Sequence, residues 1–255
     1  MNNTASGVTP ERLANLRTWN IGLTILHAAQ AILILILAGD FVIEITSNFP
    51  VGPPGTRLES PQQLFDLPIG PTVAIFLSLA ALDHLMTATF KRKTYEQDLA
   101  RGINRFRWVE YSISSTLMIL TICLVFGIGD VAGLIGIAGA NAAMILFGWL
   151  MEVINKPGRE VWWTPFWFGC IVGILPWIGL LIYLFGPGSE MPKFVYGIFV
   201  SIFIFFNLFA LNQFLQYRKN GRWADYVYGE KVYLWLSLIA KSALAWQLYG
   251  NTLSA

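Results

Sequence analysis

The sequence contains the run Val232-Tyr-Leu-Trp-Leu-Ser-Leu-Ile-Ala-Lys241-Ser-Ala-Leu-Ala-Trp-Gln247, in which Lys241 is the only charged side chain. If a helix begins at Glu230, Lys241 lies roughly 16 Å along it, at about 1.5 Å per residue. This depth is near the middle of a hydrocarbon core about 30 Å thick. A charged lysine there costs roughly 2.5–3.5 kcal/mol and usually faces the interior of a bundle. The run therefore predicts a membrane helix with a functional lysine.

The composition of the whole chain agrees with a membrane protein. Of its 255 residues, 55% are hydrophobic and only 13% are charged, which is typical of chains that cross a bilayer several times. Seven apolar segments are each long enough to cross as a helix: Trp19–Ala38, Gly70–Phe90, Trp108–Gly127, Val131–Ile154, Val161–Phe185, Phe194–Gln216 and Val232–Leu253. We therefore predict an all-α membrane protein in which residues 1–255 form a single bundle of seven transmembrane helices.

Basic residues are distributed unevenly between the connections. Apart from Lys241, fourteen fall in the N-terminal segment and in the connections after the second, fourth and sixth apolar segments, whereas only Arg57 and Lys193 fall on the other side. The positive-inside rule then predicts a cytoplasmic N-terminus and an extracellular C-terminus. The basic second connection is expected to face anionic lipid at the membrane surface and not to bind nucleic acid.

The longest connection, Gly39 to Ile69, is rich in proline and glycine, which favour turns. Its run from Phe41 to Thr46 predicts a short strand, so we expect a small β element in the first outer loop. Cys123 and Cys170 both lie inside predicted helices, where they indicate packing residues and no disulfide or metal pair.

Glu110 and Ser114 are four residues apart in the third segment and share one helix face. A polar stripe in an apolar helix should face inward, where Glu110 is a natural partner for Lys241. The alternative is that Glu110 lies at the cytoplasmic end and pairs with Arg107. Because Glu110 is the shallower of the two groups, pairing with Lys241 works if the third helix begins outside the membrane, near Gln97, and is tilted or shifted.

Other polar and aromatic residues are candidates for the same site. Ser237 precedes Lys241 by four residues, so its hydroxyl can bind the lysine nitrogen or bond back to its own helix. Asn141 lies deep in the fourth segment and is expected to join this network. Trp177 and Phe206 lie deep in the fifth and sixth segments, where they could line a cavity, although packing is the more frequent use.

The two histidines of the chain, His27 and His84, both lie in predicted spans and indicate a shared polar cavity. Asp83 beside His84 raises the possibility of a zinc site, and with it a membrane hydrolase. Adjacent residues point in different directions from a helix axis, and there is no third histidine to complete a common zinc set. We therefore expect no metal.

A buried lysine in the last of seven helices with a carboxylate in the third is the arrangement of a retinal Schiff-base protein. Five strings closely resemble the heliorhodopsins: Arg107-Trp-Val-Glu-Tyr-Ser-Ile-Ser-Ser115, Ile145-Leu-Phe-Gly-Trp149, Pro165-Phe-Trp-Phe-Gly-Cys170, Pro176-Trp-Ile-Gly-Leu-Leu-Ile-Tyr183 and Leu236-Ser-Leu-Ile-Ala-Lys-Ser-Ala-Leu-Ala-Trp-Gln247. The resemblance covers nearly the whole chain, including Gly52-Pro-Pro-Gly-Thr56 in the first outer loop.

This resemblance implies a light-sensing retinal protein of the cell membrane, not an enzyme, with its N-terminus inside the cell. Carried over by position, Lys241 would bind all-trans retinal as a protonated Schiff base, and Glu110 would be its counterion. The pocket around them would contain Ser114, Ser237, Asn141, Trp177 and Phe206. His27 and His84 would belong to a hydrated cytoplasmic cavity that accepts or relays the proton.

The resemblance also implies a homodimer and a slow photocycle, with isomerisation to 13-cis and no ion pumping. The glycines of the fourth segment allow a close helix contact, within the chain or with a second copy, and we expect the dimer surface there. The alternative function is a light-driven or light-gated ion transporter, which would share the chromophore. The downstream signalling partner is not identified by the sequence.

Overall fold

The computed structural model describes residues 5–56, 60–186, 188 and 190–253. The helices of this part are α1 (Pro10–Leu37), α2 (Ile69–Ala88), α3 (Arg92–Ala100), α4 (Arg105–Val125), α5 (Val131–Ile154), α6 (Thr164–Gly173), α7 (Leu175–Phe185), α8 (Lys193–Arg218) and α9 (Tyr226–Leu248). Six spans are long and apolar enough to cross a membrane, with α6 and α7 forming one of them. Since α9 adds a seventh helix, the predicted seven-helix membrane bundle is confirmed.

Two helices begin well before the apolar segments that predicted them. The first begins at Pro10, where the Thr9 side chain accepts a hydrogen bond from the backbone of Arg12. In α9, which begins at Tyr226, the Asp225 side chain caps the first turn. Capping side chains satisfy backbone N–H groups that the helix leaves free, so both helices continue beyond the apolar core.

The fifth predicted segment is one span made of two helices. The break falls at Ile174, between α6 and α7, directly before Leu175 and Pro176. Proline lacks a backbone N–H and disfavours helical geometry in the residue before it. A helix that reads as continuous by hydropathy is therefore interrupted halfway across the bundle.

The expected start of the third transmembrane helix near Gln97 is wrong. Gln97 belongs to α3, a separate short helix, and α4 begins only at Arg105. Gly102 adopts a φ of 74° between them, a left-handed conformation that glycine accepts readily and that commonly ends helices. The Asn104 side chain then caps α4 by accepting a hydrogen bond from the backbone of Arg107 at 3.1 Å.

The predicted β element of the first loop is confirmed. Strands β1 (Val42–Ser47) and β2 (Gln62–Pro68) pair in an antiparallel hairpin, although Arg57 of this loop lies outside the described residues. The hairpin is fixed to the turn between α4 and α5, because the backbone N–H of Thr46 donates to the carbonyl of Gly129 at 2.8 Å.

The two ends of the bundle are named here by the structural elements found at each. The N-terminal face is the end at which α1, α4 and α9 begin, and the hairpin face is the end that carries β1 and β2. In the half next to the hairpin face, the core is a large apolar cluster that includes Ile34, Phe76, Ile122, Phe126 and Leu244. Most buried polar side chains lie at mid-depth or closer to the N-terminal face, including Asn20, His27, His84, Asn104, Arg107, Glu110, Glu152, Gln213, Glu230 and Ser237.

Candidate functional site

Lys241 and Glu110 form a buried ion pair in the middle of the bundle. The Nζ atom of Lys241 lies 3.2 Å from Oε2 of Glu110 and 2.9 Å from the hydroxyl oxygen of Ser237. Lys241 is 3% exposed and Glu110 is 8% exposed. The lysine nitrogen also lies 5.0 Å from the ring centre of Tyr111, close enough for a cation–π contact. The structure thus brings together three of the side chains that the sequence selected.

The difference in depth between the two charged residues is overcome without a longer α4. Side chains on a helix point toward its N-terminus, so the amine of Lys241 reaches back one turn to Ser237. The two helices are also offset along their axes. Glu230, in the second turn of α9, already pairs with Arg107 of α4, which places Glu110 level with the later turns of α9.

A mostly apolar cavity lies beside Lys241, between α4, α5, α8 and α9. Its lining includes Trp108, Ser114, Met118, Met144, Phe206, Phe209, Ser237 and Lys241. The hydroxyl of Ser114 is buried without a hydrogen-bond partner in the described part of the chain, and so is Oε1 of Glu110. An apolar wall with a few convergent polar groups is the usual composition of a small-molecule site.

The cavity suits an apolar ligand held by the lysine. Its open volume is about 60 Å³, so a long ligand would enter only with movement of the side chains around it. Met118 and Met144 are on its wall, and methionine is the side chain that adapts most readily to a new shape. The donor set and the walls therefore fit a polyene aldehyde, with Lys241 as the only amine among the described lining residues.

The other expected pocket residues are placed in different ways. Phe206 lines the cavity, whereas Trp177 does not and instead packs edge-on against Phe206 with ring centres 5.5 Å apart. Asn141 lies behind the wall, where its amide donates to the hydroxyls of Ser115 at 2.8 Å and Thr116 at 3.0 Å. Trp177 and Asn141 therefore act on the cavity through its lining residues. The spacing of residues along the sequence cannot distinguish this indirect position from direct contact with the cavity.

His27 on α1 and His84 on α2 lie next to each other. Their rings stack with centres 5.7 Å apart and an interplanar angle of 12°. Nδ1 of His84 bonds to the side-chain oxygen of Asn20 at 2.8 Å, whereas both ring nitrogens of His27 are buried without a partner among the described residues. In the same part of the chain, no three histidine, cysteine or acidic side chains are close enough to hold a metal ion.

A second charged cluster lies closer to the N-terminal face. The position of Arg107 in the sequence predicts that it belongs to the basic connection after the second apolar segment. This prediction is wrong, because Arg107 is buried and forms ion pairs with Glu152 and Glu230. Its guanidinium lies 3.9 Å from the ring centre of Tyr233. The same contacts exclude the alternative pair between Arg107 and Glu110. In the sequence, the only sign of this cluster is that its charged residues lie within one turn of the ends of predicted spans. The packing of the helices is needed to show that their side chains point inward.

The asparagine that caps α4 also belongs to this cluster. The Asn104 side chain donates to Glu230 at 2.7 Å, and its backbone N–H donates to Glu152 at 2.8 Å. The indole N–H of Trp108 also donates to Glu152, at 2.6 Å. Since Trp108 also lines the cavity at Lys241, the cluster is connected to that cavity by one side chain.

Comparison with known proteins decides the family. A sequence model described as Heliorhodopsin matches residues 16–253. The chain belongs to the heliorhodopsin family. This heliorhodopsin is therefore a multi-pass membrane protein and a retinal-binding photoreceptor of the microbial rhodopsin kind, and family membership confirms that it is not an enzyme.

Solved structures support the fold of this heliorhodopsin. A light-driven proton pump from Leptosphaeria maculans is similar with a TM-score of 0.65 and 16% identity, over 96% of this chain and 95% of the pump. The rhodopsin of Exiguobacterium sibiricum gives 0.60 and 13%, and the thermophilic rhodopsin of Rubrobacter xylanophilus gives 0.59 and 16%, each over 93% of this chain and 95% of its own. No curated protein matches the sequence of this chain.

Proposed function

We propose that this heliorhodopsin is a light sensor in which all-trans retinal is bound covalently to Lys241 and isomerises to 13-cis in a slow photocycle without ion pumping. The observation that carries this proposal is the buried Lys241 nitrogen, 3.2 Å from Glu110 and on the wall of an apolar cavity. When bound, retinal supplies the absorption of visible light and the change of shape that follows it.

The linkage assigns a definite task to each group around the nitrogen. The Lys241 amine condenses with the aldehyde, so that a C=N bond replaces the C=O bond, water leaves and the nitrogen takes up a proton. Glu110 then offsets the positive charge, and this interaction is strong because the surroundings have a low dielectric constant. The Ser237 hydroxyl, 2.9 Å from the nitrogen, orients it, while the unpaired Ser114 hydroxyl offers the wall of the cavity one further polar contact.

Protons released at the site are proposed to move toward the N-terminal face. His84 lines a polar cavity together with Glu110, and His27 stacks on His84, so this pair is well situated to accept a proton. In the hairpin half, Thr72 and Thr121 are the buried polar side chains of the described residues. Each donates to a backbone carbonyl four residues earlier, Thr72 to Pro68 and Thr121 to Leu117. A one-sided polar path supports a sensor over a pump.

The alternative function is light-driven or light-gated ion transport. One of the similar structures is a light-driven proton pump by its own title, but a shared fold at this level of identity does not assign transport. A sustained, protonophore-sensitive pH change in illuminated vesicles, or a photocurrent under voltage clamp, would establish transport. Neither signal is expected here.

Orientation and assembly complete the proposal. The excess of basic residues on one side supports a cytoplasmic N-terminal face in the cell membrane.

We propose a homodimer that uses α5, because a Cβ atom added at Gly136 or Gly139 would meet no atom within 4 Å. Among the described residues there is therefore open space beside these two glycines, which supports room for a second copy.

The proposal is tested by spectroscopy on the chain expressed with all-trans retinal. The wild type should show a visible absorption band that hydroxylamine removes, because hydroxylamine cleaves the linkage. Lys241→Ala should lack the band, whereas Lys231→Ala on the same helix should keep it. A wild-type protein without a visible band, or a Lys241→Ala variant that retains it, would overturn the proposal.

A further inference from the structure

A small polar cavity separates the Lys241 site from the cluster around Arg107. It has a volume of about 20 Å³ and is lined by side chains of α1, α2, α3, α4 and α9: Asn20, Asp83, His84, Thr87, Tyr95, Asn104, Arg107, Glu110, Tyr111, Glu230, Tyr233 and Leu234. A water molecule needs roughly 10–15 Å³ and two to four polar partners. The cavity therefore has the size and the lining for one internal water.

Three orphaned polar atoms belong to residues of this lining: Oε1 of Glu110, Nε of Arg107 and the hydroxyl of Tyr233. All three are buried and have no hydrogen-bond partner among the described residues. Buried polar atoms without a partner are costly, so an internal water that serves both Glu110 and Arg107 removes this cost for these two residues. Such a water would connect the counterion of Lys241 with the Arg107 cluster.

Asp83 is the acidic residue of this lining that has no cation of its own. Glu110 is bonded to Lys241, and Glu230 is bonded to Arg107. In contrast, the Asp83 carboxyl makes no hydrogen bond or ion pair within the described residues, although its backbone carbonyl accepts from Thr87 at 3.0 Å. A carboxylate in a membrane span without a partner is unfavourable.

The charge balance of the polar core also disfavours an ionised Asp83. Lys241 and Arg107 are its two cations, and they face four carboxyl groups within the described part of the chain, at Asp83, Glu110, Glu152 and Glu230. Full ionisation would leave two negative charges without compensation in a medium of low dielectric constant, which is strongly disfavoured. A proton held on one carboxyl group relieves this repulsion, and Asp83 is the group that gives up no ion pair by holding it.

We propose that Asp83 is a protonated acid in the dark and that it returns a proton to the Lys241 nitrogen during recovery from light. That the Lys241 nitrogen loses a proton after light and regains it rests on the proposed function. The proton leaves a side-chain oxygen of Asp83 and crosses the cavity water to the nitrogen, so Asp83 becomes a carboxylate. It is protonated again by the proton that light had released into the cavity, and the cycle consumes no proton from solution.

Several titratable or charged groups surround Asp83 and define the alternatives. They are His27 on α1, His84 on α2, Tyr95 on α3, Arg107, Glu110 and Tyr111 on α4, and Glu230, Tyr233 and Lys241 on α9. The histidine pair can accept the proton that light releases, and the imidazolium so formed can pass it to the Asp83 carboxylate after Asp83 has donated its own proton to the nitrogen. Asp83 therefore complements the histidines and does not replace them.

The dark state is tested by infrared spectroscopy on the retinal-loaded chain at neutral pH. A carbonyl band of a protonated carboxylic acid should be present in the wild type and in Asp83→Glu, and absent in Asp83→Asn. Asp40→Asn, which changes an exposed loop acid, should retain the band. In the wild type, labelling aspartate with ¹³C should lower the frequency of the band, so the assignment is tested even if a variant fails to fold.

The proton transfer is tested by flash spectroscopy on the same samples. Asp83→Asn should slow the return of the proton to the Lys241 nitrogen at least roughly tenfold, since internal acids commonly contribute more than this. Asp83→Glu should restore most of the rate. A normal visible band together with a carbonyl band that survives Asp83→Asn, or with an unchanged recovery rate, would overturn the role of Asp83 alone. Loss of the visible band in the wild type would instead overturn the proposed function.

Discussion

The two halves of this heliorhodopsin differ sharply in what they bury. The half next to the N-terminal face contains the Arg107 cluster, the stacked histidines and the small polar cavity, whereas the half next to the hairpin is an apolar core of aliphatic and aromatic side chains. Lys241 lies at the boundary, with its amine directed toward the polar half. A charge at this boundary is held strongly by Glu110, and it has polar neighbours on one side only.

The two halves should also respond differently to substitution. In the apolar half, each residue contributes mainly through burial, and one substitution affects its immediate neighbours. In the polar half, ion pairs and hydrogen bonds are shared, so the loss of one member leaves its partners buried and unpaired. The following substitutions test the contrast, from the largest expected effect to the smallest.

Arg107→Gln should have the largest effect. It leaves Glu152 and Glu230 buried without their cation, and removal of one partner from a buried ion pair costs about 3–5 kcal/mol. We expect a strongly lowered thermal unfolding temperature by circular dichroism in detergent. Arg92→Gln is the matched control, because Arg92 pairs with Glu96 one turn later in α3 and the two side chains are 38% and 26% exposed, so its loss should cost under about 1 kcal/mol. Equal effects of the two substitutions would contradict a buried, structural Arg107.

Glu110→Gln should come next, because it removes the negative charge that faces Lys241. In the retinal-loaded protein, the ratio of protonated to unprotonated linkage at neutral pH should fall roughly a hundredfold, equivalent to about 2.7 kcal/mol. The readout is a shift of the visible band to shorter wavelengths, measured as a function of pH. Glu44→Gln changes an exposed hairpin carboxylate and should leave the spectrum unaltered. An unshifted band in Glu110→Gln would mean that another group balances the charge.

Gly148→Ala should disturb the contact between α4 and α5. A Cβ atom at Gly148 would lie 2.6 Å from Cζ3 of Trp108, and the indole is held in place by its bond to Glu152. Overpacking of this kind costs about 1–3 kcal/mol and should move Trp108 at the cavity. Thermal unfolding and the absorption maximum should both change. The control is Gly22→Ala in α1, where an added Cβ meets no atom within 4 Å; a similar loss there would point to a general intolerance of alanine.

Cys123→Ser should have the smallest effect, although Cys123 is fully buried in the apolar half. A serine hydroxyl at this position can donate to a carbonyl one turn earlier in α4, which limits the destabilisation to about 1 kcal/mol. The absorption band should be unchanged, since Cys123 belongs to the apolar cluster of the described residues and not to the polar groups around Lys241. Cys170→Ser, at an exposed position, should not alter stability. A spectral change in Cys123→Ser would show that the apolar half is coupled to the site.

The elements that the sequence predicted well are those with strong local signals. Apolar length gave the spans, and turn residues with a β-branched run gave the hairpin. The exceptions have local causes as well, since Pro176 divides one span into α6 and α7, and Gly102 with Asn104 separates α3 from α4. The expected start near Gln97 had a different origin, because it was inferred from the depth that Glu110 needs to reach Lys241. The offset of α4 against α9 supplies that depth instead.

The sequence by itself determined that seven helices cross the membrane, that Lys241 lies deep within the last of them, that Ser237 shares a helix face with Lys241 and that Glu110 shares one with Ser114. These results follow from helical periodicity and from the cost of burying charge. The tertiary structure alone decided that Arg107 turns inward to Glu152 and Glu230, that Trp177 and Asn141 stand behind the cavity wall and that Asp83 faces a water-sized cavity beside Glu110. The reason is that the offset and rotation of each helix against its neighbours depend on side chains far apart in sequence.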